Sequence, residues 1–372
     1  MSRNPMYLCC MVLFPILVTL LFTSMMNEGQ PQKMPVGIVD LDGTSTTRAM
    51  IRRLETFQTT DVVAHYNSVS EARNAIQRNR IYAFLLIPRG MTEELMANKQ
   101  PTVSFYVSET TLVSGALLMR DMKTLCMLVS ASVGQKVMAA RGFTDKAILA
   151  FLQPITIDMH ALNNPVVNYN SYLSTMLIPG CMLLFILLIT AYSLGTELKF
   201  GTSKEWLAMA GGHISKAMAG KLLPHTVIFV TMMLGNTLYQ RYVLGFPMQG
   251  PVAYVLLLDI VTVLAAQGFA AFIFGLLPSL RIAMSICSLW GVLSFSLVGS
   301  ALPLYAMDTP LQAAAQLFPL RHYFMTYQIC IFNGYPLPYA WVNIGALLLM
   351  ITLPLLTMPH MRKAMQEYKY MP

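Results

Sequence analysis

Six stretches of this 372-residue chain run for about twenty residues or more with no formal charge or a single one. A bilayer core about 30 Å thick is crossed by about 20 apolar residues in a helix, because every backbone polar group must be paired within the segment. The runs are Pro5 to Met26, Tyr172 to Thr196, Leu222 to Gln240, Val252 to Pro278 with Asp259 inside it, Ile282 to Ala306, and Tyr339 to Pro359. Asn333-Gly334-Tyr335-Pro336 separates the last run from the uncharged stretch that follows Arg321. That earlier piece is predicted as a short re-entrant or surface-lying helix. Composition agrees: 55% of residues are hydrophobic and 11% charged, against roughly 25% charged in a soluble domain. The 29 methionines suit a pliable apolar interior.

Six spans put both termini on one side. That side carries nine Lys or Arg: Arg3, Lys199, Lys204, Lys216, Lys221, Arg281, Arg362, Lys363 and Lys369. The opposite short loops carry Arg241 and Arg321. The positive-inside rule then predicts that both termini are cytoplasmic. The first run is read as an uncleaved anchor, since it exceeds a usual signal-peptide core and no A-x-A-like site follows.

Residues 27–170 hold 14 Lys+Arg and 12 Asp+Glu, most of the chain's charge, and are predicted to form a solvated external α/β domain. Strands are expected at Val36–Val39, Val62–Tyr66, Tyr82–Ile87 and Val103–Val107. Helices are expected from Thr44 or Ser45 to Phe57, after a Ser70 cap, after Thr92, from Thr110 to Ala140 and from Thr144 to Leu152. Their alternation predicts a partly parallel sheet. The predicted organisation is residues 1–26 as terminus and first span, 27–170 as external domain, and 171–372 as the remaining five spans. A cytoplasmic loop occupies 197–221 and the re-entrant or surface segment 308–338.

Five of the six cysteines lie in apolar surroundings; Cys126 is alone in the polar region, so no disulfide forms within it. No zinc spacing and no Ser/His/Asp or Cys/His arrangement stands out, and no basic stripe points to nucleic acid. Val36 to Thr44 resembles the opening signature of haloacid-dehalogenase-like phosphatases, in which two aspartates, here Asp40 and Asp42, work around Mg²⁺. The later acidic pair of that chemistry is missing, and a strand–turn–helix corner explains the same letters.

The segment Glu197 to Lys221 carries the most specific pattern. Thr202 and Glu205 have capping-box spacing, and Phe200, Trp206, Leu207 and Ala210 are expected to share an apolar face. By pattern alone this is an interfacial helix. Three motifs then resemble one family in order: Glu197-x-x-x-Gly201-Thr202-x-x-x-Trp206-Leu207, Val39-Asp-Leu-Asp-Gly43, and Leu317-Phe-Pro-Leu-Arg-His-Tyr-Phe324. Over essentially its full length the chain resembles an ABC-2-type transporter permease of the branch with a large external domain after the first span. It departs at Ala210-Gly211-Gly212, where many relatives have Thr-Pro.

The resemblance implies a type V exporter-like transmembrane fold with one span, an inserted domain and five further spans. It implies that Glu197, Gly201, Thr202, Glu205, Trp206 and Leu207 form a coupling helix seated on a separate ABC ATPase subunit. No G-x-x-x-x-G-K-[ST] loop is present, so ATP and Mg are expected on that partner and no cofactor on this chain. A homodimer, or a heterodimer with a similar permease, is implied. Drug-like, lipophilic or amphiphilic cargo is implied, with a periplasmic adaptor and an outer-membrane channel as further partners of some members. A membrane-anchored receptor or scaffold is the rival reading.

Asp259 lies inside the fourth span. It reads either as a substrate or proton contact, or as a partner for a helix end, Gln267, or a polar group across a dimer. His225 is expected at the inner interface. Pro319, Arg321 and His322 are expected to anchor the outer segment at the headgroups or to serve a lateral gate.

Overall fold

A computed structural model describes residues 5–97, 99–110, 112–152, 164, 168–300 and 302–367. Arg3 and Lys369, counted in the charge asymmetry, lie outside them. Two compact units are present: Gln30–His160, and Met1–Gly29 with Ala161–Pro372. Among the described residues six helices are long and apolar enough to cross a membrane, one before the inserted unit and five after it.

Helix α1 (Pro5–Met25) contains one π-helical stretch at Cys9–Leu13. The inserted unit then runs β1 (Met34–Asp40), α2 (Ser45–Leu54), β2 (Thr60–His65), α3 (Val69–Gln77), β3 (Ala83–Ile87), α4 (Met91–Met96), β4 (Ser104–Val107), α5 (Leu112–Ala140) and α6 (Asp145–Leu152). The sheet order is β2-β1-β3-β4. β1 is parallel to both β2 and β3, and β4 is antiparallel to β3.

Strand side chains alternate between faces. Val36 and Ile38 of β1, with Leu85 and Ile87 of β3, therefore point one way, onto Met50 and Leu54 of α2 and Leu118 of α5. Val39 and Phe84 point the other way, onto Ala72 and Ala75 of α3. Gly37 is required by space. A Cβ there would come within 2.6 Å of Tyr66 Cε2. Thr44 caps α2 in a reciprocal capping box with Thr47. The cap of α3 is Ser68, not Ser70: Ser68 has extended backbone and its hydroxyl accepts from the Glu71 N–H, so the helix starts two residues earlier than predicted.

The helical unit continues with α7 (Tyr169–Lys199), α8 (Ser203–Met209), α9 (Ile214–Tyr242), α10 (Val252–Leu276), α11 (Leu280–Leu297), α12 (Thr309–Ala315), α13 (Pro319–Thr326), α14 (Trp341–Thr352) and α15 (Pro354–Glu367). α10 is central and packs on α7, α9, α14 and α15. Small residues allow this approach: a Cβ on Gly268 would lie 2.6 Å from the Met350 carbonyl oxygen. Between those backbones no side chain fits.

Several ends differ from expectation. α7 begins earlier, at Tyr169, where Asn168 caps it by accepting from the Ser171 N–H. α11 stops at Leu297 rather than Ala306, and Gly299 follows in a left-handed conformation, φ +96°. The last span continues past Pro359 to Glu367, and Pro359 is accommodated inside α15. The stretch around Arg321 is not surface-lying. α13 and the π-helical turn after it, Tyr327–Phe332, are mostly buried, with Tyr323, Phe324 and Tyr327 in the helical core.

Candidate functional site

The residues of the Glu197–Lys221 segment converge where α7 and α9 face each other. Glu197 lies in the last turn of α7. Its carboxylate pairs with the Lys221 ammonium of α9 and accepts a hydrogen bond from the Thr202 hydroxyl. The same Lys221 Nζ stands 5.3 Å from the centre of the Trp206 ring. One carboxylate therefore holds the end of one span, the start of α8 and the beginning of the next span. Lys221 adds a cation–π contact to that junction. Ser203 Oγ donates to the Met365 carbonyl at 2.8 Å, which ties the start of α8 to α15.

Thr202 is spent on Glu197, and its side chain makes no cap bond to α8, so the predicted capping box with Glu205 does not form. Its backbone is helical, φ −88° and ψ 0°, which aims the hydroxyl back at α7. Gly201 takes φ +70°, a left-handed turn that ends α7. Gly211 and Gly212 are both left-handed too, at +66° and +78°, and they end α8 where Thr-Pro was absent.

The predicted apolar face of α8 divides in two. Trp206 is 9% exposed and Leu207 is buried with it in the helical core. Phe200, expected beside them, is 69% exposed, and Met209 is 82% exposed. Lys204 and Glu205 also face outward. Trp206 thus packs inward against its own chain, while Phe200, Lys204, Glu205 and Met209 form the accessible surface. Sequence reasoning missed Lys221 and Met209. Opposite charges at facing ends of two consecutive spans were the available signal for Lys221. A cleft of about 790 Å³ opens beside this junction, lined by Glu197, Trp206, Met209, Lys216 and Lys221 among others.

A second polar set lies within the helices. Asp259 is 0% exposed, and neither carboxyl oxygen has a hydrogen-bond partner among the described residues. Gln267 is not its partner. Gln267 Oε1 accepts from Thr226 Oγ1 of α9 at 2.7 Å, and Nε2 donates weakly to the Leu222 carbonyl at 3.5 Å. Arg241 is engaged elsewhere, donating to the Gly250 carbonyl at 2.8 Å. His225, expected at the interface, is fully buried and stacks on Tyr7 with ring centres 5.3 Å apart. Stacking on the Tyr7 ring of α1 holds it among the helices rather than at the interface.

The outer trio also sits differently from the headgroup anchoring expected. Pro319 is the first residue of α13, where its missing N–H costs nothing. Arg321 is 8% exposed and His322 is buried. His322 Nε2 donates to the Gln316 carbonyl at 2.8 Å, and Nδ1 faces the Asn343 side-chain amide at 3.1 Å. The first contact joins α13 to the end of α12 and the second joins it to α14.

Both aspartates of the β1 corner are committed to structure. Asp40 accepts from the Asp42 and Gly43 N–H groups and from Thr47 Oγ1 at 2.8 Å. Asp42 accepts from Thr92 Oγ1 at 2.5 Å and from the N–H groups of Gly90 and Thr92. The Thr92 hydroxyl above all, and then those N–H groups, hold the Asp42 carboxyl below the usual carboxylate range. The corner clamps β1 to the loop after β3. Among the described residues no cluster of His, Cys, Asp or Glu is arranged to hold a metal.

No curated protein matches the chain. A family profile described as ABC-2 family transporter protein matches residues 5–358. The match spans α1, the inserted unit and the later spans as far as residue 358, and it agrees with six apolar helices. This chain belongs to the ABC-2 transporter family and is a multi-pass membrane component of an ABC transporter.

Proposed function

We propose that the chain is the permease subunit of an ATP-driven exporter in a bacterial inner membrane, moving a drug-like, lipophilic or amphiphilic substrate outward. ABC-2 permeases in general work with an ABC ATPase. The observation that carries the reading is the Glu197–Lys221–Thr202–Trp206 junction. It binds α8 rigidly to the facing ends of α7 and α9, and α8 offers Phe200, Lys204, Glu205 and Met209 outward. A partner that grips that surface and moves as a rigid body tilts both spans together, which is the mechanical requirement for coupling.

In this reading both termini and α8 are cytoplasmic and the α/β unit is external. ATP and Mg bind the partner. Two permease chains, identical or similar, enclose the pathway, and the external unit is the surface an adaptor and outer-membrane channel would meet. Asp259 is a polar contact for the substrate within the membrane, because an acid that is fully buried and unpaired is expensive and needs a use. Gln267, already bonded to α9, is a packing contact.

Affinity purification of the tagged chain from native membranes tests the reading. A stoichiometric ATPase should co-purify, and its activity should be lost from the complex when Phe200 and Met209 are changed to Ser. An oligomer free of any ATPase across several mild detergents would instead support the receptor or scaffold reading.

A further inference from the structure

The α/β unit contains a trough that the coupling junction does not involve. Its volume is about 770 Å³, within the roughly 300–1,000 Å³ of small-molecule sites. One wall is a face of α5, where Cys126, Ser130, Val133 and Val137 recur at helical spacing. Met50, Leu95, Val103 and Leu152 extend its apolar lining, and Gln100 and Thr102 add polar groups. The charged residues that line it are Lys99 and Arg141, and both are cationic and exposed. Neither forms an ion pair among the described residues.

An apolar trough with unpaired cations at its edge selects by two terms at once. The lining takes a hydrocarbon chain at about 0.8 kcal/mol per methylene buried. The two cations favour an anionic head and disfavour a cationic one. We infer that this trough is a binding site for a single-chain anionic amphiphile, its acyl chain along α5 and its acidic head between Lys99 and Arg141. The inference stands on the α/β unit alone and does not depend on the direction of transport.

Cys126 supplies the test, because it lies in the trough lining and is the sole cysteine of Gln30–His160. Burial pushes its thiol up, so alkylation is slow and easily timed. The full chain, held in phosphatidylcholine nanodiscs, is treated with N-ethylmaleimide, and Cys126 is followed by peptide mass mapping. Ser130→Cys, one turn along the same face and exposed, serves as reporter where Cys126 itself does not react. Dodecanoate is expected to slow the reaction, and octanoate to need at least about tenfold more for the same protection. Dodecyltrimethylammonium should not protect. The Lys99→Ser/Arg141→Ser variant should raise the half-protecting dodecanoate concentration roughly tenfold. Both side chains are exposed, so the variant folds. Equal protection by the cationic amphiphile, protection unchanged in the double variant, or no protection of either reporter would each overturn the inference.

Discussion

Glu197 at the end of α7 and Lys221 about two turns into α9 form an ion pair that closes the helical hairpin around α8. Both side chains are mostly shielded, at 18% and 16% exposure, so screening weakens the pair less than it would on an open surface. Their chain separation is wide, yet Thr202 bonds Glu197 and the Trp206 ring meets Lys221. Disrupting the pair should loosen the link between α8 and the spans before it unfolds anything. Lys221→Met and Glu197→Gln are each expected to lower substrate moved per ATP hydrolysed by about tenfold, equivalent to roughly 1.4 kcal/mol of coupling free energy. The exchanged pair, Glu197→Lys with Lys221→Glu, should recover part of that loss. Equal coupling in all three variants would remove the junction from the mechanism.

The division of α8 into an inner and an outer face separates two kinds of variant. Trp206→Ala should destabilise the helical unit by about 3 kcal/mol, because a buried indole and its cation–π contact are both lost. Met209→Asp should leave the thermal midpoint where it was and abolish ATPase co-purification. Comparing midpoints with the bound ATPase fraction for the two variants distinguishes packing from docking.

Asp42 makes the inserted unit sensitive to acid. Its folded carboxyl titrates below the ordinary value of about 3.9. The stabilisation is therefore fully present above the unfolded value and is lost as pH falls through the folded one. Protection of the β1 and β3 amides from hydrogen exchange, relative to the intrinsic rate at each pH, should fall on acidification below about pH 4. Asp42→Asn should exchange faster already at neutral pH and respond less to acid. An unchanged acid response in the variant would place the sensitivity elsewhere.

Asp259 separates stability from transport in a different way. Replacing an unpaired buried carboxyl with a residue of similar size is commonly neutral or stabilising, by about 1 kcal/mol or more. Asp259→Leu is thus expected to match or exceed the parent in thermal midpoint, and both it and Asp259→Asn should transport poorly. Full transport by Asp259→Leu would show that the carboxyl is not a pathway contact.

Much of the architecture was legible because its causes are local. An uncharged run long enough to span a bilayer is dictated by desolvation of the backbone, whatever it packs against, and all six runs became helices of spanning length. The four strands of the inserted unit were likewise readable, since alternating apolar residues between turn signals need little context. Helix ends were less so. Whether Ser68 or Ser70 caps α3, and whether α11 ends at Leu297 or later, depends on a few tenths of a kcal/mol at each position.

The candidate site divides along the same line. Its motif, from Glu197 to Leu207, stands in the amino-acid order and already singled out the segment. Its geometry does not. In a seven-residue helix with apolar residues on several sides, periodicity cannot say which side is inner; packing of α7, α9 and α15 around it turned Trp206 inward and left Phe200 and Met209 outside. The partner of Glu197, the isolation of Asp259 and the burial of Arg321 and His322 were decided in the same way, by which helix lies beside which. Hydrophobic burial is nondirectional and sums over neighbours from distant parts of the chain, so the sequence determined that these segments are buried in a membrane protein, and only the tertiary structure decided what each polar group meets there.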